Sequence, residues 1–391
     1  MLTLIKQAEC YSPKRLGKQD VLIAGTKIIA IEADINLDTN VACEVIDGSD
    51  LIVAPGFVDS LVHISGGGGE AGFASRTPEM NLTDATIAGI TTVVGALGTD
   101  DVSRTHSDLI AKAKGLKQEG LNAFCHTGSY QLPAKTLGES ISHDIMYVDE
   151  VIGLGEVAIS DHRGRQITAQ QLAEVAAEAR TAGLLSGKRG TVSIHVGSGE
   201  AHVNLLHDVA NNTDIPIYQF YPTHMNRNAE LLTAGIEFCR AGGTIDFTTS
   251  TTEYDLANGE LAAAEALAYC LDKGVNVAQL TMSSDGHASL PIYNEQNELV
   301  GFEVGTELSL LSSFQQAVKQ FNVPLEKALS AITINPARIL GLNKGELKQN
   351  GDADVVLLRQ SDLTVHSVWC NGKKMIEDSQ IVANGFFNSA N

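Results

Sequence analysis

Between Pro55 and about Gly345 the chain repeats one pattern, a short apolar run of strand length followed by a stretch with helical periodicity. Strand-like runs fall at 56–63, 91–97, 123–130, 151–159, 191–196, 215–224, 244–249 and 279–284, and helical periodicity follows several of them, as at 169–180, 229–240 and 260–271. Runs that are apolar on both faces belong to parallel strands covered by helices. Eight such units predict an α/β fold, a (β/α)8 TIM-like barrel over 56–345, with a doubly wound sheet as the alternative. The two ends read differently. Short β-rich pieces at 21–23 and 27–31 are matched at the far end by Asp354-Val-Val-Leu-Leu, His366-Ser-Val-Trp-Cys and, after an Asn371-Gly372 hairpin signal, Lys374-Met-Ile-Glu. Residues 1–55 and 346–391 are therefore expected to pair into one small β-sandwich domain beside the barrel.

Composition narrows the class of partner. With 27 Lys and Arg against 47 Asp and Glu, the net charge is −20, and no basic block stands ready to neutralise phosphates. Nucleic acid and anionic membranes are excluded as expected partners. No run reaches the roughly 18 apolar residues of a membrane helix, and the first 16 residues mix charges with apolar residues, unlike a signal peptide. A cytoplasmic protein is expected. Its six cysteines lie far apart with no C-x-x-C pair, so they read as reduced and mostly buried.

In a barrel, the C-terminal strand ends converge on the face that carries the site. Polar outliers collect there: His63 ends the first run, Glu156 lies late in the fourth, His195 and His224 end the fifth and sixth, and Asp285 follows the eighth. Three imidazoles and two carboxylates aimed at one cavity form an N/O ligand set for zinc or a related divalent ion. Any single member has a bland reading, since a strand-end His is often structural and a strand-end Asp often caps the next helix. The Gly183 to Arg189 segment is one residue short of a phosphate loop and lacks its Ser or Thr, and Gly197-Ser198-Gly199 is no serine-hydrolase elbow. His106, His126, His143, His202, His207, His287 and His366 have no ligand role, and His162 and His287 lie at most beside the site.

The segments Gly56-Phe-Val-Asp59, His63 with Gly66-Gly-Gly-Gly-Glu70-Ala-Gly, Ile159-Ser-Asp-His-Arg163, Pro222-Thr-His-Met-Asn-Arg227-Asn and Ser283-Ser-Asp285-Gly resemble the amidohydrolase superfamily. More narrowly they resemble the isoaspartyl (β-aspartyl) dipeptidases, over nearly the whole chain. The resemblance implies two zinc ions bridged by a carboxylate, held by a His-x-His pair on the first strand, two later histidines and an aspartate. This chain departs twice. It reads Leu61-Val62-His63 where the pair should stand, and Glu156 occupies the bridging position, often a carbamylated lysine in the family. Glu156, His195 and His224 then form one intact site, while His63, Glu156 and Asp285 form a weakened one. One tight Zn2+ and a weak or empty second position are expected.

The resemblance also assigns roles. A hydroxide generated at zinc attacks the amide, Asp285 takes the proton and returns it to the leaving amine, and Tyr130 polarises the carbonyl. Asp285 acting only as a ligand is the plainer alternative. Glu70, presented by the loop that includes Gly68, pairs with the substrate's amine; Arg163 and Arg227 take its carboxylates, and Thr99, Tyr130 and Ser289 make secondary contacts. The implied substrate is an isoaspartyl dipeptide. Hydrolysis of another N-acyl or cyclic amide of an acidic amino acid is the second reading, and a catalytically silent paralogue that binds an amino-acid-like ligand the third. The resemblance implies a homo-oligomer, with an octamer as one form.

Overall fold

The computed structural model describes residues 2–37, 40, 42–294, 296 and 298–386. All eight strand-like runs of the central region form barrel strands: β1 (Phe57–Val62), β2 (Ile90–Gly95), β3 (Asn122–Thr127), β4 (Val151–Ile159), β5 (Thr191–Val196), β6 (Phe220–Thr223), β7 (Ile245–Thr248) and β8 (Leu280–Ser283). Strands β1 to β6 pair in parallel and in chain order, and β7 pairs with β8. Backbone bonds close the two seams. Met225 N donates to Asp246 O at 3.1 Å between β6 and β7, and Asp285 N donates to Leu61 O at 3.1 Å between β8 and β1. The sixth strand is shorter than its apolar run because Pro216 opens a 3-10 turn over Ile217–Gln219, which uses up the start of that run.

The outer helices show why the periodicity was readable. In Ala169–Ser186, Thr168 and Gln171 form a capping box, Gly187 ends the helix at φ 72°, and Leu172, Ala173, Ala176, Ala179 and Ala182 bury one stripe. These small side chains let the helix lie close to β4 and β5. Inside, the barrel is filled in two layers. At the N-terminal end of the strands, Ile339 and Leu340 of helix Ile334–Leu340 pack against Val94, Ile152 and Tyr221 and seal it. Above this plug the lining turns polar. Asp246 accepts hydroxyls from Tyr221 at 3.2 Å, Thr223 at 2.8 Å, Thr281 at 2.6 Å and Ser283 at 2.5 Å, tying β6, β7 and β8 together just below the strand ends.

The chain ends meet in one nine-stranded sheet, where Leu51–Pro55 runs antiparallel to Val355–Arg359. Its residues alternate between two cores: Val53, Val355, Leu357 and Trp369 pack with Ile5, Val21 and Ile23, whereas Ile52, Ala54, Val356 and Leu358 pack onto the barrel. The edge strand Lys27–Glu32 folds back onto the segment just before Val355–Arg359, with Ile28 N to Gly351 O at 3.0 Å and Ala353 N to Thr26 O at 2.9 Å, which gives the unit its sandwich character. The N-terminal strands Leu2–Ser12 and Lys14–Ala24 are longer than the β-rich pieces visible in sequence, because interspersed Lys6, Glu9 and Lys18 mask them. A hairpin over Ser289–Tyr293 and Leu299–Val304, unanticipated from sequence, follows β8, and its Tyr293 ring stacks on Tyr254 with centroids 4.3 Å apart. All six cysteines are free, five of them buried. Among the described residues no helix is long and apolar enough to cross a membrane.

The Asp246 cluster gives a stability test. Asp246→Ala strands the buried hydroxyls of Thr223 and Ser283, while Tyr221 and Thr281 keep each other and, respectively, Ser60 and Ile245 O, and should cost at least ~2 kcal/mol in urea unfolding. Burial lifts the Asp246 carboxyl to about 6, against the pull of the hydroxyls around it. A carboxyl that holds its proton more tightly folded than unfolded makes stability rise as pH falls from about 6 toward the ordinary 3.8. Asp246→Asn should remove that rise from the pH profile of unfolding.

Candidate active site

The strand ends open into a cavity of about 270 Å³. Its wall contains His63, Gly68, Glu70, Thr99, Tyr130, Arg163, His195, His224, Arg227, Asp285 and Ser289, every site residue expected from sequence except Glu156. Glu156 lies directly behind, fully buried on β4, with its Oε2 3.5 Å from His195 Nδ1 and 3.4 Å from His224 Nε2.

Each imidazole is held by its other nitrogen. His195 Nε2 lies 2.9 Å from Asp161 Oδ2, and since a carboxylate only accepts, Nε2 carries the proton. Nδ1 is left as an acceptor, bonded at 2.6 Å by the Tyr130 hydroxyl and facing Glu156. Burial pushes the Tyr130 phenol well above its ordinary range, so it stays a donor. His224 Nδ1 meets Thr248 Oγ1 at 2.5 Å, which turns Nε2 toward Glu156; burial lowers this imidazole to about 4 and keeps it neutral. Both oxygens of Glu156 are buried without a hydrogen-bond partner.

A buried carboxylate with two unpartnered oxygens, facing two imidazole nitrogens, is a site for a cation. The donor atoms of Glu156, His195 and His224 all lie within 4.8 Å of one another. This N/O set fits zinc or a similar ion and leaves room for a further ligand from solvent or substrate. His63 and Asp285 stand beside it, with His63 Nε2 3.2 Å from Asp285 Oδ1 and His63 Nδ1 3.2 Å from Ala96 O. Against burial, the Asp285 carboxylate raises His63 to about 9. Glycines leave room for this ring, since a Cβ at Gly67 or Gly98 would lie 3.1 Å from it, a contact the ring could meet only by shifting. Leu61 is only 2% exposed and supplies no ligand atom.

The rest of the wall is charged. Glu70 Oε1 accepts from Thr99 Oγ1 at 2.8 Å and lies 3.6 Å from Arg163 Nη1. Arg163 is gripped by Asp161 through Nε at 3.0 Å and Nη2 at 2.7 Å, and its guanidinium lies 5.5 Å from the centre of the Tyr130 ring. Arg227 Nε and Ser289 Oγ are buried without partners. Asp255 and Glu260 complete the Arg227 end of the cavity, where burial raises Glu260 to about 7. Sequence reasoning singled out neither acid, nor Thr248 or Asp161. A carboxylate two residues before Arg163 was the one signal that could have flagged Asp161. His162 is 92% exposed and His287 turns away to Pro78 O, Asp84 and Glu307, so neither enters the cavity.

An eight-stranded parallel barrel with a Glu, His, His group at its C-terminal face and a two-ended β unit is the scaffold of a class of hydrolases, and the group is a candidate metal site. The model of the amidohydrolase family matches residues 52–375, and the chain belongs to that family. A β-aspartyl dipeptidase from Fervidobacterium islandicum AW-1, solved with β-Asp-Leu dipeptide, superposes with a TM-score of 0.90 at 39% identity over 97% of each chain. A dihydropyrimidinase from Brevibacillus agri shares the fold, with a TM-score of 0.67 at 15% identity over 98% of this chain and 97% of its own. Among curated proteins, dihydroorotase from Clostridium acetobutylicum is 24% identical over 91% of this chain and 89% of its own length.

Outer-shell losses alone commonly weaken metal binding about 10- to 100-fold. Removing a carboxylate that faces both imidazoles should do at least as much. Glu156→Gln should therefore lower zinc affinity at least ~10-fold in chelator competition, with the fold retained by circular dichroism.

Proposed function

We propose that this protein hydrolyses the β-linked amide of isoaspartyl dipeptides in a zinc-dependent reaction. The observation that carries the proposal is the placing of charge on the cavity wall: besides Asp285 next to the Glu156, His195 and His224 group and Asp255 and Glu260 at the Arg227 end, the wall carries the Glu70 carboxylate and two guanidiniums, Arg163 and Arg227. A β-aspartyl dipeptide presents the complement, one free amine and two carboxylates around one amide. The 39% identity to a β-aspartyl dipeptidase solved with β-Asp-Leu supports the same reading.

On this reading Glu156, His195 and His224 hold the ion, and His63 and Asp285, with Glu156, offer a second, weaker position. Such an ion supplies Lewis acidity and a nucleophile at neutral pH. The chain's own residues do the rest. Glu70, steadied by Thr99, binds the α-amine, while Arg163 and Arg227 take the carboxylates and fix the amide in the cavity. The Tyr130 hydroxyl, released once His195 Nδ1 is otherwise engaged, donates to the carbonyl oxygen as charge grows there. Asp285 accepts the proton of the attacking water and delivers it to the departing amine, which leaves well only when protonated. Gly68 and Ser289 close the wall around the aspartyl part.

The dihydroorotase relatives favour one alternative, a cyclic amide built on an acidic amino acid. Steady-state assays of zinc-loaded protein with β-Asp-Leu, α-Asp-Leu and dihydroorotate separate the readings. Turnover of β-Asp-Leu alone, reduced by about 10²- to 10⁴-fold in Asp285→Asn, is expected. Turnover of dihydroorotate alone would replace the dipeptide, and turnover of neither would overturn the proposal. Because Leu61 stands where the family carries a ligand histidine, metal analysis should give close to one tight zinc per chain. Leu61→His should move that number toward two, and an unchanged stoichiometry would show that the second position fails for another reason.

A further inference from the structure

Asp161 lies two residues beyond β4, and its carboxylate is only 4% exposed. Its oxygens receive four donors. Oδ1 accepts Arg163 N at 2.8 Å and Arg163 Nε at 3.0 Å; Oδ2 accepts Arg163 Nη2 at 2.7 Å and His195 Nε2 at 2.9 Å. The turn that presents it is pinned as well. Ser160 has φ 52°, its hydroxyl donates to His202 O at 2.6 Å, and a Cβ at Gly197 would come within 2.6 Å of Asp161 Cβ. This carboxylate cannot shift toward one partner without loosening the other.

We infer that Asp161 is a positioning residue that couples the metal centre to substrate recognition, orienting the ligand His195 and the carboxylate-binding Arg163 through one side chain. The inference rests on the roles given to His195 and Arg163 above. Accepting the Nε2 proton leaves the Nδ1 lone pair of His195 facing Glu156. Holding Arg163 by Nε and Nη2 leaves Nη1 for the cavity. The two tasks share one negative charge. When a substrate carboxylate draws on Arg163, Asp161 is neutralised less by the arginine and acts more fully on His195, strengthening it as a donor to a metal. Linkage makes the effect reciprocal, so bound metal also favours the substrate carboxylate.

Chelator competition for zinc tests this without requiring turnover. Asp161→Ala should weaken zinc about 10- to 100-fold, and Asp161→Asn less, because an amide oxygen still accepts the Nε2 proton. At saturating zinc, KM for β-Asp-Leu should rise by a larger factor than kcat falls in both variants, which general destabilisation would not produce. A cycle with Arg163→Met reads the coupling itself: this change should tighten zinc in the parent protein and have no such effect beside Asp161→Asn. Zinc affinity within twofold of the parent in both Asp161 variants, or an equal effect of Arg163→Met in both backgrounds, would falsify the inference. Thermal unfolding of the metal-free variants checks the fold, and Asp161→Asn decides if Asp161→Ala fails to fold. Were β-Asp-Leu not hydrolysed at all, the dipeptidase reading would fail while the zinc measurements still judged Asp161.

Discussion

The arrangement at the barrel mouth depends on one buried carboxylate. Glu156 is fully inside the protein, and neither of its oxygens has a hydrogen-bond donor. Burying an unpaired carboxylate costs several kcal/mol even after relaxation (about that order in real proteins), so such a group either takes up a proton or is offset by a cation, and two imidazole nitrogens facing Glu156 suit the second. The neighbours are organised around that need. Thr248 and Asp161 each occupy the outward nitrogen of an imidazole, so the inward nitrogens of both histidines face the same oxygen of Glu156. A ligand set oriented in this way before the ion arrives loses little on binding it.

That pre-organisation reaches down into the barrel. Thr223 and Ser283, which immediately precede His224 and closely precede Asp285, both donate to Asp246, so one buried carboxylate fixes the strand ends from which two of the site's side chains spring. Below it the contacts are apolar, where Ile339 and Leu340 close the barrel against Val94 and Ile152. The interior thus changes from a hydrocarbon plug to a hydroxyl lattice to a charged cavity along the strand direction. Rigidity at the base supports a site that must hold several charges at fixed separations.

Much of this was legible in the sequence, for a physical reason. A strand covered by helices on one side and facing the barrel on the other is apolar over most of its length, so an imidazole at its C-terminal end stands out, as those of His63, His195 and His224 do. The ends of the chain were legible through short β-rich runs and the Asn371-Gly372 hairpin signal, and the structure adds that Val53 and Val355 face one core while Ile52 and Val356 face another. What stayed hidden depends on contacts between distant segments. Thr248 reads as an ordinary strand threonine until His224 is seen 2.5 Å away. Asp161 reads as part of a motif around Arg163 until its second partner, His195, arrives from another strand. The Ser289–Tyr293 arm of the hairpin was hidden because its placement depends on Tyr254, which belongs to a different loop.

The character of the cavity limits how it can discriminate. Few apolar groups line it, Leu290 and Pro291 among them, so little affinity can come from burying hydrocarbon. Recognition must rest on pairing charges in a partly desolvated space, where a missing partner is penalised more than a matched one is rewarded. A ligand without the amine leaves Glu70 to Arg163 and Thr99, which already satisfy it, at modest cost. One without the carboxylate at Arg227 leaves a buried Nε with nothing to bond. The two ends of the cavity are therefore unequal: at one end Glu70 and Arg163 lie 3.6 Å apart and Thr99 bonds Glu70, whereas at the other Arg227 Nε has no hydrogen-bond partner although Asp255 and Glu260 line the same end.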